Sequence, residues 1–154
     1  MDTVYPNKRF CLCHGLGLCG RDRDARAAAH RQRRVRSFPK LRIVLGHLGE
    51  TLPFMLDRID NRYRFETGLF PDQRMKRRPS EYFRDHFVVT TTGMNFPAPL
   101  KAAIAVLGID NVLFGIDHPY EEQAEEVAKF EAMSFSEADK KKLYQTNAER
   151  VFRL

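Results

Sequence analysis

The stretch Leu41–Glu50, with the sequence LRIVLGHLGE, and the stretch Asn111–Pro119, with the sequence NVLFGIDHP, decide the fold. In each, a short apolar run meets a glycine and is followed by a side chain that can act as an acid, a base or a metal ligand. Buried parallel strands have this composition, and the catalytic groups of (β/α) barrel enzymes follow the carboxyl ends of such strands. Helical patterns lie between the two stretches, so the sequence predicts part of a (β/α) barrel.

The length of 154 residues allows one hydrophobic core but falls short of the roughly 250 residues of a complete eight-stranded barrel. We therefore expect an α/β fold in which residues 37–154 form an incomplete TIM barrel of about three β/α units. The first strand is expected to be buried on both faces. The predicted strands are 41–45, 87–91 and 111–116, and the predicted helices are 52–64, 79–84, 97–107, 121–132, 136–144 and 147–152. Residues 65–78 are expected to form a long surface loop.

Residues 1–36 differ from the rest of the chain in charge. They hold nine Lys/Arg and three Asp/Glu, which accounts for the whole net charge of +6. Their apolar residues follow no helical or strand period, so we expect a disordered basic leader. The leader has few aromatic residues to stack on bases, and no nucleic-acid partner is expected.

The three cysteines, Cys11, Cys13 and Cys19, also lie in the leader. Their spacing fits none of the common structural zinc patterns, and their odd number argues against a disulfide framework. The sequence contains neither an apolar run of about 18 residues nor the apolar core of a signal peptide. We therefore expect no membrane partner and a cytoplasmic location.

His47 and Glu50 are the first candidate catalytic pair. His47 follows the first strand, and Glu50 could accept a hydrogen bond from the imidazole and fix its tautomer. The alternative is a histidine bonded to the backbone and a glutamate at a helix start.

Asp117 is the second candidate, because a carboxylate at the end of an apolar strand needs a partner or a metal ion. It could instead cap the following helix. Thr92, at the end of the middle strand, could line a polar pocket, and Arg58 could clamp a substrate carboxylate, although a solvated arginine is more common. His86 precedes a strand, so no catalytic role is expected for it.

Several separate motifs resemble one family in the same order along the chain. They are FPKL at 38–41, LGHLGE at 45–50, RID at 58–60, DHPYE at 117–121 and TNAERVF at 146–152. Together they resemble the C-terminal part of the amidohydrolase-related decarboxylases, which include the γ-resorcylate, 2,3-dihydroxybenzoate and 5-carboxyvanillate decarboxylases. The resemblance implies a TIM barrel that holds a divalent metal, zinc or manganese, and a homo-oligomer in the full-length family.

The resemblance also implies a role for each matching residue. His47 would act in proton transfer, Glu50 would orient it, and Asp117 would be a metal ligand at the last strand. Arg58 would lie near the substrate pocket or a subunit interface. Thr92 lies outside the matching motifs and is a candidate substrate-binding residue only because it ends the middle strand. The implied reaction is the non-oxidative loss of CO₂ from a small ortho-hydroxylated aromatic carboxylic acid.

The sequence departs from the family in its metal ligands. The E-x-H or H-x-H pair with which the family opens occurs nowhere in the chain. The hexapeptide His30–Val35 can be encoded by codons that give Ile-Ala-Ser-Gly-Val when read one base later, so we hypothesise that the leader is an out-of-frame translation. The alternative is a genuine basic leader on a small paralogue. The sequence therefore predicts a chain that is inactive alone; the alternative is a non-catalytic fragment or small structural domain without metal.

Overall fold

The computed structural model describes residues 40–69, 71 and 75–154. The predictions about the basic leader and its cysteines lie outside these residues. The described residues divide into two compact units. The first comprises 40–41 and Met55–His86, and the second comprises Arg42–Phe54 and Phe87–Leu154.

A three-stranded parallel sheet forms the centre of the second unit. Its strands are β1 (Ile43–Leu45), β2 (Phe87–Thr90) and β3 (Val112–Leu113), in that spatial order. Val44 lies opposite Val88, and Val89 lies opposite Val112. Val88 and Val89 of β2 point to opposite faces of the sheet, and both are fully inaccessible, so both faces of this central strand are covered. The three predicted parallel neighbours are thus confirmed.

The expectation that the first strand is buried on both faces is wrong. Val44 is 36% exposed. Its side chain points to the face of the sheet opposite to that of Ile43 and Leu45, the residues before and after it in β1. Within the sheet of the second unit, β1 is an edge strand. An apolar composition does not distinguish such a strand from one that is covered on both faces.

The third strand is shorter than predicted, because its backbone leaves the ladder after Leu113. The Phe114 amide donates to the Leu143 carbonyl at 2.8 Å. The Gly115 amide donates to the Thr91 hydroxyl at 2.9 Å. The chain therefore continues past the sheet on hydrogen bonds to other groups.

The helices of the second unit follow the sequence prediction closely. They are α3 (Pro97–Leu107), α4 (Gln123–Glu131), α5 (Glu137–Lys141) and α6 (Asn147–Phe152), with a π-helical turn at Lys142–Thr146 between the last two. Gly108 closes α3 with a φ of +82°, and Ser136 caps α5 by accepting a hydrogen bond from the Asp139 amide at 3.1 Å.

An aromatic cluster joins the sheet to these helices. The Phe114, Phe130 and Tyr144 rings meet in T-shaped, edge-to-face contacts, with centroids 4.7–4.9 Å apart. The Asn147 amide group donates to the Ile109 and Val112 carbonyls at 2.9 and 2.8 Å. The C-terminal helix is thereby fixed to the strand that leads toward Asp117.

The first unit contains most of α1 (Leu52–Leu69), whose first residues lie in the second unit, and all of α2 (Pro79–His86). The predicted loop at 65–78 is wrong for residues 65–69, where α1 continues. The prediction ended the helix where the helical spacing of apolar residues ends and assigned Gly68 to the loop. An exposed helix can continue beyond that spacing, and it tolerates a glycine at a cost of about 1 kcal/mol.

Two polar contacts stabilise the first unit. The Asp60 carboxylate accepts hydrogen bonds from the Ser80 amide at 2.9 Å and the Ser80 hydroxyl at 2.5 Å, and so caps the start of α2. The buried His86 imidazole lies 3.1 Å from the Leu41 carbonyl, which accepts a hydrogen bond from Nδ1. None of the described helices combines the length and the apolar character needed to cross a membrane.

Among the described glycines, Gly115 has the least room for a side chain. A methyl group on Gly115 would lie 2.8 Å from Thr92 Cγ2, whereas one on Gly68 would meet nothing within 4 Å. We expect Gly115→Ala to lower the free energy of unfolding by about 1–3 kcal/mol through overpacking. Gly68→Ala is the matched control and should be neutral or stabilising by up to about 1 kcal/mol. Urea unfolding of both variants measures the difference, and equal effects would contradict the packing argument.

Candidate active site at the carboxyl edge of the sheet

His47 and Asp117 come together at the carboxyl ends of β1 and β3. The His47 Nε2 atom lies 3.3 Å from Asp117 Oδ2. The His47 side chain is 46% exposed and that of Asp117 is 31% exposed, so the pair is open to a ligand from solvent. Their convergence follows from the parallel sheet, and it agrees with the sequence prediction.

The backbone at both residues takes the left-handed conformation. The φ angles of His47, Leu48, Gly49 and Glu50 lie between +52° and +73°, and that of Asp117 is +80°. Residues other than glycine adopt this region at an energetic cost, and such strain is found most often at functional sites. The turn buries Leu48 completely, which leaves His47 at the surface beside Asp117.

Thr92 holds His47 in place from the middle strand. The His47 amide donates to Thr92 Oγ1 at 2.9 Å, and the Thr90 and Thr92 hydroxyls lie 2.9 Å apart. The Thr92 hydroxyl is thus engaged with the protein, and this geometry supports a positioning role. The predicted contact of Thr92 with substrate stays a prediction.

Gly93 lies directly beside the pair, and the sequence analysis did not identify it. A methyl group there would be 3.3 Å from His47 Cδ2 and 3.5 Å from Asp117 Oδ2. Its φ of +63° also favours glycine. The sequence did contain a signal for it, because Gly93 directly follows the threonines that end the predicted strand 87–91.

The predicted hydrogen bond between Glu50 and His47 is not formed. Glu50 Oε1 lies 3.8 Å from His47 Nδ1, which exceeds hydrogen-bond distance, and the glutamate side chain is 74% exposed. The left-handed turn directs Glu50 toward solvent. Arg58 is exposed on α1 in the first unit, and its predicted place near the substrate stays a prediction.

The described residues do not complete a divalent-metal centre. No group of three or more His, Cys, Asp or Glu side chains among them is arranged to hold a metal ion. Catalytic zinc sites usually have three protein ligands, and Asp117 supplies one carboxylate. The predicted ligand therefore has no set of partners in this part of the chain.

A buried polar network lies behind Asp117. The Asn95 side-chain amide donates to the Gly115 carbonyl at 3.0 Å and to Glu126 Oε2 at 2.8 Å. Lys129 Nζ donates to Glu126 Oε1 at 2.7 Å. Asn95 and Glu126 are each 3% exposed. Chiefly because of the hydrogen bond from Lys129, the pKa of Glu126 is lowered although burial opposes ionisation.

The sequence analysis missed Asn95 and Glu126. Glu126 lies in an acidic helix in which most glutamates are exposed, and only its spacing of three from Lys129 pointed to a pair. Asn95 Oδ1 is buried and has no hydrogen-bond partner among the residues that the structure describes. Leaving such an oxygen unpaired costs about 1–3 kcal/mol.

Comparison with known proteins agrees with this geometry. The sequence profile of the amidohydrolase family matches residues 8–154. γ-Resorcylate decarboxylase of Rhizobium sp. (strain MTP-10005) is 42% identical over 116 residues, which make up 75% of this chain and 35% of that protein.

Solved structures are also similar. 5-Carboxyvanillate decarboxylase from Sphingomonas paucimobilis has a TM-score of 0.71 at 40% identity, and the match covers 78% of this chain and 36% of that chain. Dihydroxybenzoic acid decarboxylase from Polaromonas sp. JS666, with bound manganese and the inhibitor 2-nitroresorcinol, has a TM-score of 0.69 at 38% identity, with coverage of 78% and 36%.

A three-stranded parallel sheet with helices, with a histidine and a carboxylate at its carboxyl edge, defines the chain as an α/β protein. More particularly, the chain belongs to the amidohydrolase family. The resemblance to γ-resorcylate and 5-carboxyvanillate decarboxylases is confirmed. The chain spans about a third of the length of the curated relatives that it matches, 35% in the Rhizobium protein.

Replacing Thr92 by valine should loosen the turn that carries His47. Thr92→Val keeps the shape but leaves the His47 amide without its acceptor, at a cost of about 1–2 kcal/mol. Hydrogen exchange of the His47 amide should become roughly tenfold faster. Thr92→Ser, which keeps the hydroxyl, is the control and should retain most of the protection. Equal exchange rates in the two variants would show that the hydroxyl does not hold the turn.

The lowered pKa of Glu126 predicts a stability change in acid. Because its folded-state pKa lies below the ordinary value of 4.5, its contribution to stability is present above that pH and is lost as the pH falls through the folded-state pKa. Glu126→Gln should therefore flatten the fall of the unfolding free energy below about pH 4.5. Glu125→Gln, an exposed neighbour that also pairs with Lys129, is the control. An unchanged acid slope in Glu126→Gln would contradict the assignment.

Proposed function

We propose that this chain contributes the proton-transfer part of a site for the non-oxidative decarboxylation of ortho-hydroxylated aromatic acids. We also infer that its three strands are a segment of a TIM barrel. The observation that carries the proposal is the approach of His47 Nε2 to Asp117 Oδ2 at 3.3 Å. The proposal is supported by the similarity of this chain to γ-resorcylate and 5-carboxyvanillate decarboxylases, at about 40% sequence identity.

The reaction needs a proton at the ring carbon that carries the carboxylate. The electrons of the hydroxylated ring take up this proton, the bond to the carboxylate then breaks, and its electron pair restores the aromatic ring as CO₂ leaves. His47 would carry the proton on Nε2, with Asp117 Oδ2 as its hydrogen-bond partner. The partial exposure of both side chains lets the substrate approach and lets solvent replace the proton.

The other residues would act around this pair. Thr92 would fix the backbone of His47, and Gly93 would leave room beside it. Glu50 would influence the orientation of His47 through charge only, because it is too distant for a hydrogen bond. Arg58 would attract the substrate carboxylate. Manganese, which the Polaromonas relative binds, would need ligands beyond Asp117, so we assign no step to it.

The second candidate is a non-catalytic domain that keeps the family motifs. The lack of a three-ligand metal group among the described residues favours it. The two candidates differ in whether His47 and Asp117 contribute to turnover once the rest of a barrel is present.

The test supplies that missing part in trans. This chain is co-expressed with the N-terminal two thirds of the Rhizobium γ-resorcylate decarboxylase, and CO₂ release from γ-resorcylate is measured with manganese. We expect no turnover from the chain alone and measurable turnover from the pair. His47→Ala should lower kcat at least about 100-fold, the effect typical of a lost general acid. Asp117→Asn should lower it as well.

The matched control is Asp110→Asn, an exposed carboxylate paired with Lys142. It should leave kcat within about twofold of the unmodified pair, as expected for a surface ion pair. Turnover that survives His47→Ala would overturn the proton-transfer role. Turnover by the chain alone, abolished by His47→Ala, would overturn the inference that further groups are required. An inactive pair would favour the non-catalytic domain.

A further inference from the structure

The Gly115 carbonyl is the point at which the buried network meets the candidate site. Gly115 lies two residues before Asp117, on the segment that leaves the sheet after β3. Its carbonyl accepts hydrogen bonds from the Thr91 hydroxyl at 3.0 Å and from the Asn95 amide at 3.0 Å. Its amide donates to the same threonine hydroxyl at 2.9 Å. Both polar groups of this residue are thus bonded to side chains of the segment around the end of β2.

The orientation of the Asn95 amide is fixed by its two partners. Its nitrogen lies within hydrogen-bond distance of the Gly115 carbonyl and of Glu126 Oε2, which is a carboxylate oxygen. Rotation of the amide by 180° would place its oxygen against these acceptors. The observed orientation instead leaves Oδ1 buried without a partner among the described residues. Buried polar atoms of this kind are rare, and each calls for an explanation.

Glu126 supplies that explanation. Lys129 donates to its other oxygen at 2.7 Å and favours the ionised form, which accepts hydrogen bonds and donates none. An ionised carboxylate therefore allows one orientation of Asn95. A protonated Glu126 could donate to Asn95 Oδ1 and would then no longer oppose the other orientation, in which Oδ1 would still face the Gly115 carbonyl. The charge on Glu126 thus reinforces the orientation in which Asn95 donates to the Gly115 carbonyl.

We propose that Asn95 and Glu126 are positioning residues, which hold the Gly115 carbonyl and thereby set the approach of Asp117 to His47. The catalytic consequence rests on the proposed function, whereas the geometric consequence does not. Neither residue touches the reacting atoms. Both act through the backbone between Gly115 and Asp117, where the φ of +80° at Asp117 requires a firm anchor.

The test compares Asn95→Ala and Glu126→Gln with the control Glu125→Gln. Both glutamates pair with Lys129 and both changes remove one negative charge, but only Glu126 contacts Asn95. In the full ¹⁵N-labelled chain, Asn95→Ala should shift the His47 ring nitrogen resonances and speed hydrogen exchange of the Gly115 amide about tenfold or more. Glu126→Gln, which keeps an acceptor oxygen, should shift the same resonances in the same direction but less. Glu125→Gln should shift neither signal.

A catalytic measurement separates this proposal from the proposed function. In the enzyme completed in trans, Asn95→Ala should lower kcat about 10- to 100-fold with KM nearly unchanged, as expected when a reacting group is misplaced. Unchanged His47 resonances in folded Asn95→Ala would overturn the positioning role. If Asn95→Ala does not fold, Glu126→Gln decides, and an unshifted His47 spectrum would overturn the proposal. A completed enzyme that is inactive in every form would count against the proposed function alone, since the His47 spectra still decide on positioning.

Discussion

The position of Thr92 between two glycines is the constraint on which the candidate site depends. A methyl group on Gly46 would lie 3.1 Å from Thr92 Oγ1, and one on Gly115 would lie 2.8 Å from Thr92 Cγ2. The absence of both side chains lets the ends of three strands approach one threonine. Its hydroxyl then accepts the hydrogen bond from the His47 amide at 2.9 Å. The imidazole is thus placed by the middle strand as well as by its own.

Beyond the last ladder pairs, side chains replace the backbone as hydrogen-bonding partners. Thr91 and Asn95 bond Gly115, and Thr92 bonds His47. A regular strand would continue to direct successive side chains to alternate faces, which restricts where a functional group can lie. Irregular backbone does not impose that alternation, but its N–H and C=O groups then need hydrogen-bonding partners outside the strand ladder. This chain provides them at the positions that lead to its two candidate catalytic residues.

The sequence predicted the convergence of His47 and Asp117 for two reasons. Apolar runs that end in polar residues can be recognised in the sequence alone, and parallel strands have their carboxyl ends at one edge of the sheet. The prediction failed for the hydrogen bond between Glu50 and His47, since four consecutive residues with positive φ form this turn and the Glu50 side chain is 74% exposed. It also failed for Asn95 and Glu126. Their burial depends on contacts between segments 20 to 31 residues apart, which local composition does not reveal.

The geometry also limits what Asp117 can do. One of its oxygens, Oδ2, lies beside His47, so a second task as a metal ligand would fall to the same carboxylate. In many metal sites a carboxylate accepts a hydrogen bond from a histidine that itself binds the ion, whereas here the carboxylate would serve both the imidazole and the ion. One Asp117 oxygen is therefore already engaged with the histidine before any ion is considered. In the positioning role that we propose for Asn95 and Glu126, the backbone anchor at Gly115 helps to maintain this contact, although neither residue touches the reacting atoms.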